Sequence, residues 1–167
     1  DERVPEAAYA SWLHPFKSCI VLVHLLGEDG LKMSKSPKNY RTPDYYFEQE
    51  GADAMRRLFS AAQAPLTRLR FKEQAITEGQ REFLLRLWNV YSFFSIYARI
   101  DGWQPTGDLR AAPGPDVKLS ELDRWVLAEL NATVDQVRTS LDDFDNLTAA
   151  TALNDFVDTL SNWYVRR

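Results

Sequence analysis

The sequence predicts a mainly α chain in which a short end piece of an α/β domain runs into an up-down helical bundle. Three observations lead there. Cys19 to Leu26 is a nearly unbroken apolar run rich in β-branched residues, the pattern of a strand buried on both faces of a parallel sheet. From residue 73 onward, apolar side chains recur at three- and four-residue spacing through three long stretches, as amphipathic helices require. Pro105, Gly107, Pro113, Gly114 and Pro115 gather between the first two of these stretches and mark a connection.

Each element has its own signals. Residues 1 to 17 show little pattern, although Trp12, Leu13 and Phe16 suit a packed lead-in. After the apolar run, Gly27-Glu28-Asp29-Gly30 reads as a turn. It opens a basic, acid-free stretch from Leu31 to Arg41 that holds Lys32, Lys35, Lys38 and Arg41. Thr42-Pro43-Asp44 supplies an N-cap, a proline at the first helical position and an acid in the first turn. Gly51 ends that short helix. A second one carries Ala54, Met55, Leu58 and Phe59 on one side and stops at Pro65. Over residues 73 to 98, Leu84, Leu87, Trp88, Tyr91, Phe94, Ser95 and Ala98 share a face of a long helix that Gly102 terminates. Ser120 to Asp123 resembles a capping box, with Asp in the place of Glu. The helix behind it aligns Leu122, Val126, Leu130, Val134, Val137 and Leu141. A last helix after Asp145-Asn146 turns Ala150, Leu153, Phe156, Val157, Leu160 and either Trp163 or Tyr164 inward.

Composition narrows the function classes. Nine Phe, seven Tyr and five Trp supply enough apolar area for a real core, which excludes collagen-like and simple disordered chains. The single cysteine, Cys19, allows no internal disulfide and cannot alone form a zinc site. No run approaches the roughly 18 apolar residues of a transmembrane helix, and the start of the chain lacks the charge pattern of a signal peptide. The expectation is a cytoplasmic chain without a membrane partner. Net charge is −4, yet residues 32 to 99 hold twelve basic and seven acidic groups, beside four and ten in residues 100 to 145. Such asymmetry permits a local phosphate-binding surface on an acidic protein, and equally suits solvated helix faces of unlike composition. The chain opens on Asp1 and stops at Arg167 directly after a helical pattern, so it reads as an internal piece of a longer protein.

The stretch with the most chemistry is Lys32-Met33-Ser34-Lys35-Ser36. Two ammonium groups three residues apart can face one polyphosphate, and two small hydroxyls add hydrogen-bond donors without bulk. Lysines over a triphosphate would stabilise charge building on a leaving pyrophosphate. Alone, such a lysine-rich turn is better explained by solvated lysines. In context, Lys-Met-Ser-Lys-Ser is the signature loop of the class I aminoacyl-tRNA synthetases, and the sequence resembles that family. A second match, Gly51-Ala52-Asp53-Ala54-Met55-Arg56, is similar to the family's Gly-Ala-Asp-Ala-Leu-Arg, with Met55 in place of Leu. Within the class, Leu87 to Phe94, Glu121-Leu122-Asp123-Arg124-Trp125 and Ser161-Asn162-Trp163-Tyr164-Val165-Arg166-Arg167 resemble the isoleucine enzymes. The resemblance runs from about Pro15 to Arg167. Trp88, Tyr91, Trp125 and Trp163 fall on apolar helix faces, where core packing is the expected role.

The resemblance implies a Rossmann-type catalytic domain whose C-terminal piece occupies residues 1–62, followed over 63–167 by the first part of a helical anticodon-binding domain. It implies activation of L-isoleucine by ATP, accompanied by Mg²⁺, and transfer to tRNA(Ile). Lys32 and Lys35 would hold the departing phosphates, Ser34 and Ser36 would bond phosphate oxygens or shape the loop, and Met33 would pack it down. Arg56, Arg57, Arg68, Arg70, Lys72, Arg81 and Arg86 make the most basic surface for a tRNA backbone. The family's His-Ile-Gly-His element is absent, since His14 and His24 are the only histidines. Its amino-acid pocket, editing domain and zinc module are missing as well, so catalysis belongs to a larger parent. The turn after His24 is shorter than the family's, and Pro37-Lys38-Asn39 lacks the frequent glycine before Asn39. Two other readings stay open: a non-catalytic RNA-binding or interaction module derived from a synthetase, and a synthetase for valine or another aliphatic amino acid.

Overall fold

The computed structural model describes residues 18–34, 41–62, 67–105, 114 and 117–167. Six α-helices lie within them: α1 (Pro43–Gln49), α2 (Ala52–Ala61), α3 (Glu73–Gly79), α4 (Arg86–Ile100), α5 (Glu121–Asp142) and α6 (Asn146–Thr159). Two π-helical stretches, Gln80–Leu85 and Leu160–Tyr164, continue α3 into α4 and extend α6. The expected mainly α architecture is present.

The expected strand is not. Among the described residues Cys19 to Val23 have no pairing partner, and Val21 is 74% exposed. A strand buried on both faces needs neighbours along its edges and layers above and below. Here pairing is confined to Leu26, which makes isolated bridges to Lys32 and to Arg70.

The short helices start and stop where the signals lie. Thr42 is the N-cap of α1, with extended backbone and Pro43 at the first helical position. Gly51, at φ +84°, ends α1 and opens α2; a side chain there would be strained. Turning the chain at Gly51 folds α1 against α2. Tyr46, Ala54, Met55, Leu58, Phe71 and Ile76 then form one core, with Ile76 only 1% exposed. The Tyr46 and Phe71 rings meet edge to face at 5.2 Å, a favoured aromatic geometry. Phe59 departs from the expected inward set and is exposed.

The long helix predicted over 73 to 98 runs from Glu73 to Ile100, interrupted by its π turn. Its expected inward face is largely outward: Leu87, Trp88, Tyr91 and Phe94 are exposed, Trp88 by 61%. An apolar helical face is buried only where something covers it, and α4 is met on one side by α6 and the second π turn.

Helix α6 is the hub, meeting α2, α4 and α5. It buries Ala149, Ala150, Ala152 and Val157, small side chains that let α5 approach closely. The capping box predicted at Ser120 is complete: Ser120 Oγ accepts from the Asp123 amide and Asp123 Oδ2 accepts from the Ser120 amide. Asp145 caps α6 through its bond from the Thr148 amide. Of the expected α5 face, Val126 is buried and Leu122 and Val137 are half-buried, but Leu130, Val134 and Leu141 are exposed. Leu153 on α6 is likewise exposed. The choice between Trp163 and Tyr164 resolves in favour of Tyr164, which is half-buried while Trp163 is exposed.

Candidate functional site

The basic stretch stands on a tightly bonded base. Gly27 donates to the Leu31 carbonyl at 2.8 Å and Gly30 to the Gly27 carbonyl at 2.9 Å, closing the predicted turn. Asp29 Oδ1 accepts from the Leu31 amide. Gly30 has φ +77°, and a Cβ there would lie 2.7 Å from an Arg70 Nη, so only glycine fits without displacing that guanidinium. Leu26 donates to the Leu69 carbonyl and accepts from the Phe71 amide, which docks the turn onto residues 69–71. The Met33 amide bonds to the Leu25 carbonyl, and its side chain packs on the core that includes Tyr46 and Phe71.

Lys32 and Met33 line a cleft of about 330 Å³, together with His24, Arg41, Tyr46 and Phe71. The lining is mostly apolar and includes two cations, Lys32 and Arg41, a combination that suits an anionic ligand with an apolar part. Arg41 lies over the Tyr45 ring, 4.5 Å from its centroid. Its Nε donates to Glu73 Oε1 at 3.2 Å, and the Tyr46 hydroxyl donates to the same oxygen at 2.8 Å. Burial, and then the bond to Glu73, pushes the Tyr46 phenol up to about 12.

Of the predicted phosphate-site residues, Lys32 and Met33 line this cleft, Ser34 follows them half-buried, and Lys35 and Ser36 lie outside the described residues. The seven basic residues of the expected tRNA surface separate. Arg56, Arg68, Arg70, Lys72 and Arg81 are exposed, Arg56 in an i,i+3 pair with Asp53. Arg57 is packed instead: its guanidinium lies over Phe83 at 4.3 Å and donates to Asn154 Oδ1. Burial pulls that guanidinium below the usual arginine range. Arg86 donates to Asp158 Oδ1 at 2.5 Å. Among the described residues, no group of three or more His, Cys, Asp or Glu side chains gathers to hold a metal ion. Nor is any described helix long and apolar enough to cross a membrane.

Comparison with known proteins places this geometry. A family described as tRNA synthetases class I (I, L, M and V) matches residues 7–71, which include the turn, the basic loop and the cleft. A second, the anticodon-binding domain of tRNA ligase, matches residues 123–167, the α5–α6 hairpin. The chain belongs to the class I tRNA synthetases. This synthetase chain is 47% identical over 152 residues to an isoleucine–tRNA ligase of Deinococcus radiodurans and 45% identical over 152 residues to one of Clostridium novyi. Both alignments cover 91% of the chain but only 14% of the relative, so it spans about a seventh of their length. Its fold is similar to that of LeuRS from Agrobacterium radiobacter K84, solved in a ternary complex with tRNA and LeuAMS. The TM-score is 0.66 at 18% identity, over 81% of this chain and 16% of that one.

Two residues of the synthetase cleft, Arg41 and Tyr46, are tied to a residue outside its lining, Glu73. Arg41 and Tyr46 both donate to one carboxylate oxygen of Glu73, which lies 32 positions beyond Arg41. Arg41 closes the basic stretch, three residues after Lys38, and that spacing was a usable signal. Nothing local marks Tyr46 or Glu73.

Proposed function

We propose that this chain is the part of an isoleucine–tRNA ligase that carries the ATP-phosphate loop and the start of the tRNA-binding helices. On this reading residues 1–62 belong to the catalytic domain and 63–167 to the anticodon-binding domain, and Phe71 and Ile76 complete a core shared with α1 and α2. The observation that carries the proposal is the Lys32–Met33 edge of the cleft, set by the Gly27–Leu31 turn, inside a region 47% identical to an isoleucine–tRNA ligase.

The chemistry follows from charge. An isoleucine carboxylate oxygen attacks the α-phosphorus of ATP; the bond to the bridging oxygen breaks, and pyrophosphate leaves with the electron pair. Negative charge grows on the β- and γ-phosphates as that bond opens. Lys32 and Lys35 hold those oxygens, and stabilisation that increases as charge develops lowers the barrier rather than merely tightening substrate binding. Ser34 and Ser36 donate to phosphate oxygens or shape the loop, while Met33 packs its start against the core. Mg²⁺ would accompany the ATP and offset the charge of its phosphates. The aminoacyl group then passes to the 3′ end of tRNA(Ile). Arg56, Arg68, Arg70, Lys72 and Arg81 form the exposed basic surface for its backbone, with Arg57 and Arg86 committed to helix packing.

Amino acid-dependent pyrophosphate exchange by the full-length gene product tests the reading. Isoleucine should support exchange with a kcat/KM at least about a hundredfold above valine, the discrimination available to one methylene in an apolar pocket. Preference for valine or leucine would refute the isoleucine assignment. No exchange with any amino acid would favour a non-catalytic RNA-binding module.

A further inference from the structure

We infer that Glu73 is a positioning residue for the phosphate site, holding both flanks of the basic loop on the first turn of α3. The inference rests on the reading above that this loop binds the ATP phosphates. Glu73 makes three connections. Its Oε1 accepts from Arg41 Nε at 3.2 Å, immediately after the loop, and from the Tyr46 hydroxyl at 2.8 Å on α1. Its backbone N–H donates to Glu28 Oε1 at 3.4 Å, in the turn immediately before the loop. Residues 28 and 41 are thirteen positions apart in the chain and meet at one residue thirty-two positions farther on.

Geometry gives this junction a purpose that packing alone does not. Arg41 and Lys32 line the same cleft. The guanidinium is fixed on both sides, by the Tyr45 ring beneath it and by the Glu73 carboxylate. An arginine restrained by a ring and a carboxylate loses less side-chain freedom when it binds an anion. Glu28 meanwhile bonds the first turn of α3, where free amides and the helix dipole favour a carboxylate. That contact fixes the turn whose far end presents Lys32. Glu73 therefore sets the separation of two cations that face one ligand, while touching no part of that ligand itself.

The test uses pyrophosphate exchange by the full-length gene product. In Glu73→Ala, exchange kcat should fall about tenfold and the KM for ATP should rise, because a small displacement of a charged contact is costly in the transition state. The KM for isoleucine should stay within about twofold. Glu73→Gln keeps an acceptor for Tyr46 but loses the charge that holds Arg41, and should fall between wild type and Glu73→Ala. Arg41→Met should reproduce the kcat loss of Glu73→Ala, and adding it to that variant should cost little more. The inference is overturned if Glu73→Ala leaves kcat unchanged, or if all three parameters worsen together as in general unfolding. Lys35→Ala separates the two claims: if it too leaves kcat unchanged, the phosphate-loop reading has failed, and if it alone slows exchange, only the role of Glu73 has.

Discussion

The Tyr164 hydroxyl donates a 2.8 Å hydrogen bond to Asp123 Oδ1, joining the end of the α6 extension to the first turn of α5. The other oxygen of that carboxylate is the one in the capping box. One side chain thus caps a helix and closes the hairpin that the anticodon-binding family matches. Tyr164→Phe keeps the ring and removes the donor. It should cost about 1 kcal/mol of local stability, read as faster native-state hydrogen exchange of the α5 amides while those of α2 are unchanged.

The same carboxylate predicts a pH dependence. Hydrogen bonds from the Ser120 side chain, then from Tyr164 and the Ser120 backbone, hold the Asp123 carboxyl below its usual range. A carboxyl depressed in the folded state contributes stability that is fully present above the unfolded value, near 4, and is lost as pH falls through the folded value. Asp145 follows the same rule, its carboxyl lowered by its bonds from Thr148. Helicity followed at 222 nm should fall below about pH 4, and the fall should be shallower in Asp123→Asn. Identical titrations would contradict the assignment.

Arg57 offers a contrast between removing a group and stranding one. Its Nε is buried without a hydrogen-bond partner among the described residues, while its Nη2 bonds Asn154. Asn154→Ala leaves a second part of the guanidinium unsatisfied and should cost about 1–2 kcal/mol. Arg57→Met removes every stranded N–H and keeps contact with Phe83, so it should cost less. Denaturant midpoints of the two variants check the order.

The exposed face of α4 predicts the behaviour of this chain expressed alone. Leu87, Trp88, Tyr91 and Phe94 present adjoining apolar surface, and such patches bind apolar dyes. The chain should enhance the fluorescence of anilinonaphthalene sulfonate. Trp88→Lys with Phe94→Lys should reduce that signal without changing helix content, because neither ring is buried.

Local chemistry made the helices legible. Pro43, Gly51, Ser120 with Asp123, and Asp145 each act on backbone groups within four residues, and each starts or stops a helix where its residue type implies. Burial was less legible because it depends on neighbours. The run Cys19 to Val23 and the face of Trp88 have the hydrophobicity of buried elements and are exposed, since nothing among the described residues covers them. The site divides in the same way. Lys32 and Met33 were identified by a contiguous motif and share the cleft, whereas Glu73, thirty-two residues beyond Arg41, holds that lining residue from outside. Arg57 looked like a surface cation and is packed against Phe83 and Asn154, contacts that charge patterning does not encode.

The most direct test compares isoleucine-dependent pyrophosphate exchange by the full-length gene product with that of its Lys35→Ala variant. Loss of a cation that contacts developing phosphate charge should lower kcat by about a hundredfold while leaving the KM for isoleucine within about twofold. A variant that exchanges pyrophosphate at the parental rate would contradict the phosphate role of this loop.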